Sequence, residues 1–209
     1  QTCALPIYVL PEAQTDVEDR ILGLILTGIA HYDETIHQTA LAVLCRDIFG
    51  RSQLPMARKH AIFVRLHKKL LTLLSEPRAG QLTFFNCAAM LNHLYRYTVR
   101  QELQEGPFRF LPEKPAAFFP GTFDPFSVGH KQIVQEIRAR GFEVYLAVDE
   151  FSWSKKTLPK LLRRRIVSIS VADQWDTYLF PDDIPVNIAM PDDLSRLQSL
   201  FAGRELYLV

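Results

Sequence analysis

Residues 120–130 read Pro-Gly-Thr-Phe-Asp-Pro-Phe-Ser-Val-Gly-His, the stretch of the chain that gathers the most groups suited to one chemical task. His130 and Ser127 stand three residues apart where a helical pattern, 131–137, begins, so both fall on one side of its first turn. The apolar run 116–119 ahead of them reads as a strand. Gly121 would let the backbone between strand and helix turn tightly and approach a ligand. The loop amides and the positive end of the helix then converge on one point, which favours a phosphate. An imidazole and a hydroxyl at such a point suit an anion that gains charge as it reacts.

The elements that must position these groups can be read on either side. Strand patterns at 116–120, 143–149, 185–190 and 205–209 alternate with helical ones at 128–140, 159–174 and 192–202. That alternation predicts an α/β fold, with a parallel sheet carrying helices on both faces. Such sheets bind ligands at the carboxyl ends of their strands, which is where the 120–130 loop falls. Asp192 and Asp193 fall at a helix start, where acids act as caps. Upstream, helices are expected at 16–31 with Thr15 as N-cap, at 34–49 stopping at Gly50, from Pro55 to Ser75, and at 79–104. Short connections suggest an antiparallel bundle or the end of a helical array, although no repeat period is visible. Residues 107–115 hold three prolines and read as a stiff, extended linker. The resulting division is an all-α region over 8–106, a linker over 107–115 and an α/β region over 116–209.

Composition narrows the function classes. The chain has 209 residues, 48% hydrophobic and 22% charged, with a net charge of +1, so nothing pushes it generally toward nucleic acid or a membrane. The longest apolar stretch, 21–30, is well short of the roughly 20 residues of a membrane span. Cys45 and Cys87 lie in apolar helical patterns with no CxxC, which predicts reduced core thiols and a cytoplasmic setting. His31, His37, His60, His67 and His93 form no His-Glu-x-x-His motif, so no metal site is expected among them. Arg58-Lys59 and Lys68-Lys69 read as solvated faces. Residues 1–7 match, codon by codon, the translation of a common sequencing-library adapter and are set apart from the fold. The absence of an initiator Met and the strand pattern that stops at Val209 suggest a piece of a longer protein.

A second group of charges follows the second strand: Lys155, Lys156, Lys160, Arg163, Arg164 and Arg165. It reads as a pocket for a phosphorylated co-substrate and a triphosphate, or as a solvated basic face. Trp153 beside it would stack on a flat ring or anchor a core. The patch lacks the interleaved aromatics of a strand-binding groove, which argues against nucleic acid.

The segment resembles the nucleotidylyltransferase superfamily, whose fingerprint is Gly-x-Phe-Asp-Pro followed by His/Thr-x-Gly-His. Here it reads Gly121-Thr122-Phe123-Asp124-Pro125, then Ser127-Val128-Gly129-His130. The Asp-Pro pair is similar to that of nicotinate-nucleotide and phosphopantetheine adenylyltransferases, whereas cytidylyltransferases usually carry Asp-Leu or Asp-Met. Ser127 departs from both branches, which have His and Thr there respectively.

The resemblance covers about 116–209. It implies a Rossmann-like parallel sheet, incomplete in this chain, and transfer of an adenylyl group from ATP, with Mg²⁺, to a phosphate monoester, releasing pyrophosphate. It implies catalytic roles for His130 and Ser127 at the α-phosphate, and nucleotide binding by Gly121, Thr122, Phe123, Asp124, Gly129 and His130. The family's Lys and Arg that meet substrate phosphate fall nearest Lys156 and Arg163. No protein-held metal is implied. The acceptor it suggests first is nicotinate or nicotinamide mononucleotide. Phosphopantetheine is the alternative substrate, and a nucleotide-binding sensor or scaffold without turnover is the alternative class. The family's later Ser/Thr-Arg phosphate motif lies beyond the sequence, so the segment alone is expected to be inactive. Oligomeric state is left open.

Overall fold

The computed structural model describes residues 11–51, 53–76, 81–150 and 156–209. Among them the chain forms seven α-helices, a π-helical stretch and one four-stranded sheet, an α/β structure. Strands β1 (Ala116–Gly121), β2 (Glu143–Val148), β3 (Thr177–Leu179) and β4 (Leu206–Leu208) are all parallel, in the order β3-β2-β1-β4. The β1–β2 register runs from Ala116↔Glu143 to Gly121↔Val148.

Alternate side chains of a strand leave on opposite faces, and here they feed two cores. On one face, Phe119, Val144, Leu146 and Val148 meet Val134 of helix α5 (Val128–Ala139) and Val167 of helix α6 (Lys160–Ser170). On the other, Ala116 and Phe118 meet Leu197 of helix α7 (Pro191–Leu200) and its C-cap Phe201. Burying a side chain such as Phe118 contributes about 1.5–3 kcal/mol. With both faces covered, β1 can be an uncharged run rather than an alternating one.

Residues 185–190, expected as a strand, belong instead to an irregular crossover, and the third strand is 177–179. Pro181 and Pro185 lack the amides a ladder needs. Asn187 turns the chain by accepting from the Ala189 amide at its side chain (3.0 Å) and from the Met190 amide at its carbonyl (2.9 Å). All three residues of β3 are buried, so no alternation marks it in the sequence.

Ahead of the sheet lie α1 (Pro11–Ala30), α2 (Glu34–Leu41), α3 (Met56–Ser75) and α4 (Gln81–Glu105). Helix α1 starts upstream of the expected Thr15 cap. Helix α2 is capped by the Asp33 carboxylate, which accepts from the amides of Thr35 and Ile36. It runs on as a π-helix over Ala42–Arg51, past Gly50. The core of these helices, including Leu26, Ile29, Leu44, Phe49, Leu66 and Leu70, takes in Ile169 from the end of α6 and Ala172 and Trp175 from the α6–β3 connection. Cys45 is buried in it. Segment 107–115 has neither helix nor strand and lies along α3, with Phe108 against His60 and Phe63 and Phe110 against His67. No described helix is long and apolar enough to cross a membrane.

Two of the lysines assigned to solvated faces are buried. Lys59 donates to the Phe49 carbonyl. Lys69, 2% exposed, donates to the carbonyls of Val171 (2.7 Å) and Thr177 (2.6 Å), and so pins α3 to the α6–β3 connection. Burial pulls its ammonium down to about 7. Next to it, Lys68 and Arg204 both reach Glu143 at the start of β2.

Candidate functional site

The fingerprint leaves the carboxyl end of β1, one of the two central strands. The sheet order places β2 on one side of β1 and β4 on the other, so the chain's crossovers diverge there and open a crevice at the strand ends. Ser127 is the N-cap of α5, with extended backbone, and forms a reciprocal cap with His130. Its hydroxyl accepts from the His130 amide at 3.4 Å, and its own amide donates to His130 Nδ1 at 3.0 Å. The Ser127 Oγ also lies 2.9 Å from Nδ1. This is the capping-box arrangement, with histidine in the place usually held by Glu or Gln.

A backbone amide can only donate, so Nδ1 is an acceptor and the neutral ring carries its proton on Nε2. Nε2 has no hydrogen-bond partner among the described residues. The ring is held by aromatic neighbours: Phe126 stacks on it with centroids 5.4 Å apart, and Phe123 meets it edge-on at 5.3 Å. The result is an N–H donor of fixed direction at a helix N-terminus, where a developing negative charge is favoured.

Gly121 owes its identity to this packing. A Cβ there would sit 2.9 Å from two ring atoms of Phe123. Phe123 itself is buried, at φ 45°, in the left-handed region that costs a bulky residue energy. Gly121 therefore makes room for the Phe123 ring that buttresses His130, a different duty from the tight turn expected of it. Asp124 Oδ2 accepts from the Leu158 amide at 3.1 Å, bracing the fingerprint against the segment before α6. The Asp124–Pro125 peptide is cis. Thr122 is half-buried, and Gly129 lies exposed in the first turn of α5.

The expected phosphate-binding pair divides. Lys156 is exposed at the start of the segment leading to α6. Arg163 is wholly buried, and its guanidinium donates to four carbonyls: Leu158 (2.8 Å), Thr122, Asp149 (2.8 Å) and Glu150 (2.9 Å). Its place on α6 explains this, because Arg163 and Val167 are one turn apart on the buried stripe. Arg163 thus ties the loop after β1 to the loop after β2 and points away from solvent. Arg164 is also engaged, with Glu76, Asp182 and the Phe180 carbonyl. Lys155 and Trp153 lie outside the described residues.

The carboxyl ends of β1, β2 and β3 and the 181–188 crossover enclose a cavity of about 470 Å³, next to the fingerprint but not lined by its residues 121–130. Sequence reading missed it because Val186 and Ile188 mimic a strand. Asp149 stands in its lining. Burial pushes the Asp149 carboxyl up, partly offset by Arg163 and Lys160. Among the described residues no group of three or more His, Cys, Asp or Glu side chains could hold a metal ion. No family model, no curated protein and no solved structure matches the chain.

Proposed function

We propose that the α/β region is a Rossmann-like nucleotidylyltransferase domain that passes the adenylyl group of ATP to a phosphate monoester. A phosphate oxygen of the acceptor forms a bond to the α-phosphorus while the bond to the bridging oxygen breaks, and pyrophosphate leaves. No enzyme nucleophile is needed, so the protein contributes position and charge stabilisation. Mg²⁺ enters with the triphosphate as part of the substrate. The setting is cytoplasmic.

The observation that carries this reading is the Ser127–His130 cap. It fixes Nδ1 as an acceptor and leaves Nε2–H as the ring's donor in the first turn of α5, where loop amides and helix dipole favour phosphate. Ser127 acts chiefly through its amide and its cap. Lys156, exposed, is proposed to meet phosphate, and Arg163 takes the role of a brace between loops. The acceptor proposed first is nicotinamide or nicotinate mononucleotide, with phosphopantetheine second.

A second reading is favoured by the same brace. Arg163 and Arg164 are both engaged in structural contacts and so are withdrawn from a triphosphate, as suits a domain that binds nucleotide without turning it over. Pyrophosphate release from MgATP by the full-length protein, measured with each of the three acceptors, separates the readings. Release with one acceptor supports transfer. ATP binding by calorimetry with no release from any of them favours the sensor. Absence of both rejects the domain assignment.

A further inference from the structure

The cavity beside the fingerprint has a sign. Its walls are largely apolar, with Ala147, Val148, Phe180, Ile184 and Val186 among them. Among the described residues its charged groups are four carboxylates, on Asp149, Glu150, Asp182 and Asp193, and the ammonium of Lys160. Lys160 is itself paired with Asp182 at 3.3 Å. Asp182 and Asp193 are further answered by Arg164 and Arg196. The side chains of Asp149 and Glu150 have no hydrogen bond or ion pair to any described residue. Their backbone carbonyls are both held by Arg163, so the two carboxylates are set on a fixed stretch of chain. Both residues are exposed, so their carboxylates stand at the mouth of an apolar cavity, where they attract a cation or an N–H donor and repel a second anion.

The opposite sign lies next door. The N-terminus of α5 with its loop amides, and the exposed Lys156, favour anions. Pro120 lines the cavity and Gly121 begins the fingerprint, so the two regions adjoin along the chain at the end of β1. A volume of about 470 Å³ is in the range of small-ligand sites.

We infer that this cavity receives a flat ring that is positively charged or carries an amide, and that the acceptor's phosphate stays outside it at the fingerprint. The preferred acceptor is then cationic at its ring and anionic at its phosphate, with no carboxylate on the ring. This rests on the nucleotidyl-transfer reading and adds to it the chemistry of the acceptor's far end.

The test compares nicotinamide mononucleotide with nicotinate mononucleotide, which differ only in carboxamide against carboxylate. Pyrophosphate release should favour the amide by about 10-fold or more in kcat/KM. In the variant carrying Asp149→Asn and Glu150→Gln, the ratio should fall toward unity. Equal rates, or a preference for the carboxylate in the unaltered protein, would overturn the inference while leaving nucleotidyl transfer standing. If neither compound nor phosphopantetheine is turned over, it is the transfer reading that fails. Calorimetry with nicotinamide riboside, which lacks the phosphate, then decides the cavity separately. Binding that is lost in the double variant upholds its charge assignment, and no binding in the unaltered protein overturns it.

Discussion

The backbone amide of Ser127 lies 3.0 Å from Nδ1 of His130, so a main-chain group decides which nitrogen of a side-chain ring bears the proton. The donor left for a ligand is Nε2–H, and the amide that holds Nδ1 remains when the Ser127 hydroxyl is removed.

His130→Ala should therefore lower turnover by about 10²–10³, the cost of losing one donor to a developing charge. KM for ATP should move far less. Steady-state pyrophosphate release checks both, and near-normal turnover would remove His130 from the mechanism.

Ser127→Ala should behave differently. It removes the N-cap oxygen, which costs about 1 kcal/mol of stability, but keeps the amide that holds Nδ1. Thermal unfolding should show the loss while turnover falls much less than in His130→Ala. Ser127→Thr should restore the cap. If Ser127→Ala were as inactive as His130→Ala, the hydroxyl itself would have to touch the substrate.

Arg163 and Lys156 should separate cleanly. Arg163→Ala removes a wholly buried guanidinium and the donor to four part-buried carbonyls, at about 1 kcal/mol for each hydrogen bond lost. The urea midpoint should drop steeply, and Arg163→Lys, with no planar fork to span the carbonyls, should not rescue it. Lys156→Ala should leave the midpoint unchanged and raise KM. An Arg163→Ala protein of normal stability and raised KM would return Arg163 to the substrate phosphate.

Lys69 predicts a pH dependence. Its ammonium titrates at about 7 in the folded chain against 10.5 in an ordinary lysine. Between those values the unfolded chain binds a proton that the folded chain does not. Stability therefore rises with pH across that window, by at most about 1.4 kcal/mol per pH unit, and is flat with respect to this group below 7. Urea unfolding from pH 6 to pH 10 should show the rise, and Lys69→Met should flatten it. The same slope in both proteins would assign it to other groups.

Gly121→Ala tests the aromatic buttress. The new Cβ meets the Phe123 ring at 2.9 Å, and Phe123 is packed between Phe119, Phe126 and His130. The ring has to shift, at about 1–3 kcal/mol, and His130 loses its edge-on neighbour. Turnover should fall with stability; a fall in neither would mean the ring repacks freely.

What the sequence disclosed and what it hid follow one pattern. Strands β1 and β2 and helix α5 were legible because uncharged runs and a capped amphipathic helix are local signals. Strand β3 was not, because Thr177-Tyr178-Leu179 is three residues long and buried throughout. The crossover was misread because Val186 and Ile188 alternate as a strand would, although Pro181 and Pro185 already spoke against it. Arg163 and Lys69 were misplaced by charge alone, yet position would have found them. Arg163 shares a face with Val167, and Lys69 shares one with Ile62, Leu66 and Leu73. A charge on an apolar stripe is a charge that has found carbonyls. The sign of the cavity could not be read, since its carboxylates come from three separate stretches of chain.

The unequal pairing of β1 has a kinetic consequence. Its long register with β2 closes through α5 alone, a short loop, whereas β4 must return past α6, β3 and α7 to pair at Ala116–Phe118. Arg204, which donates to the Lys114 carbonyl, sits 90 residues downstream of it. Contacts so far apart in sequence carry a larger loop-closure cost, which predicts that β1, α5 and β2 pair first and β4 docks afterwards. Amide exchange should then open the β4 edge while the Ser127–His130 turn is still protected.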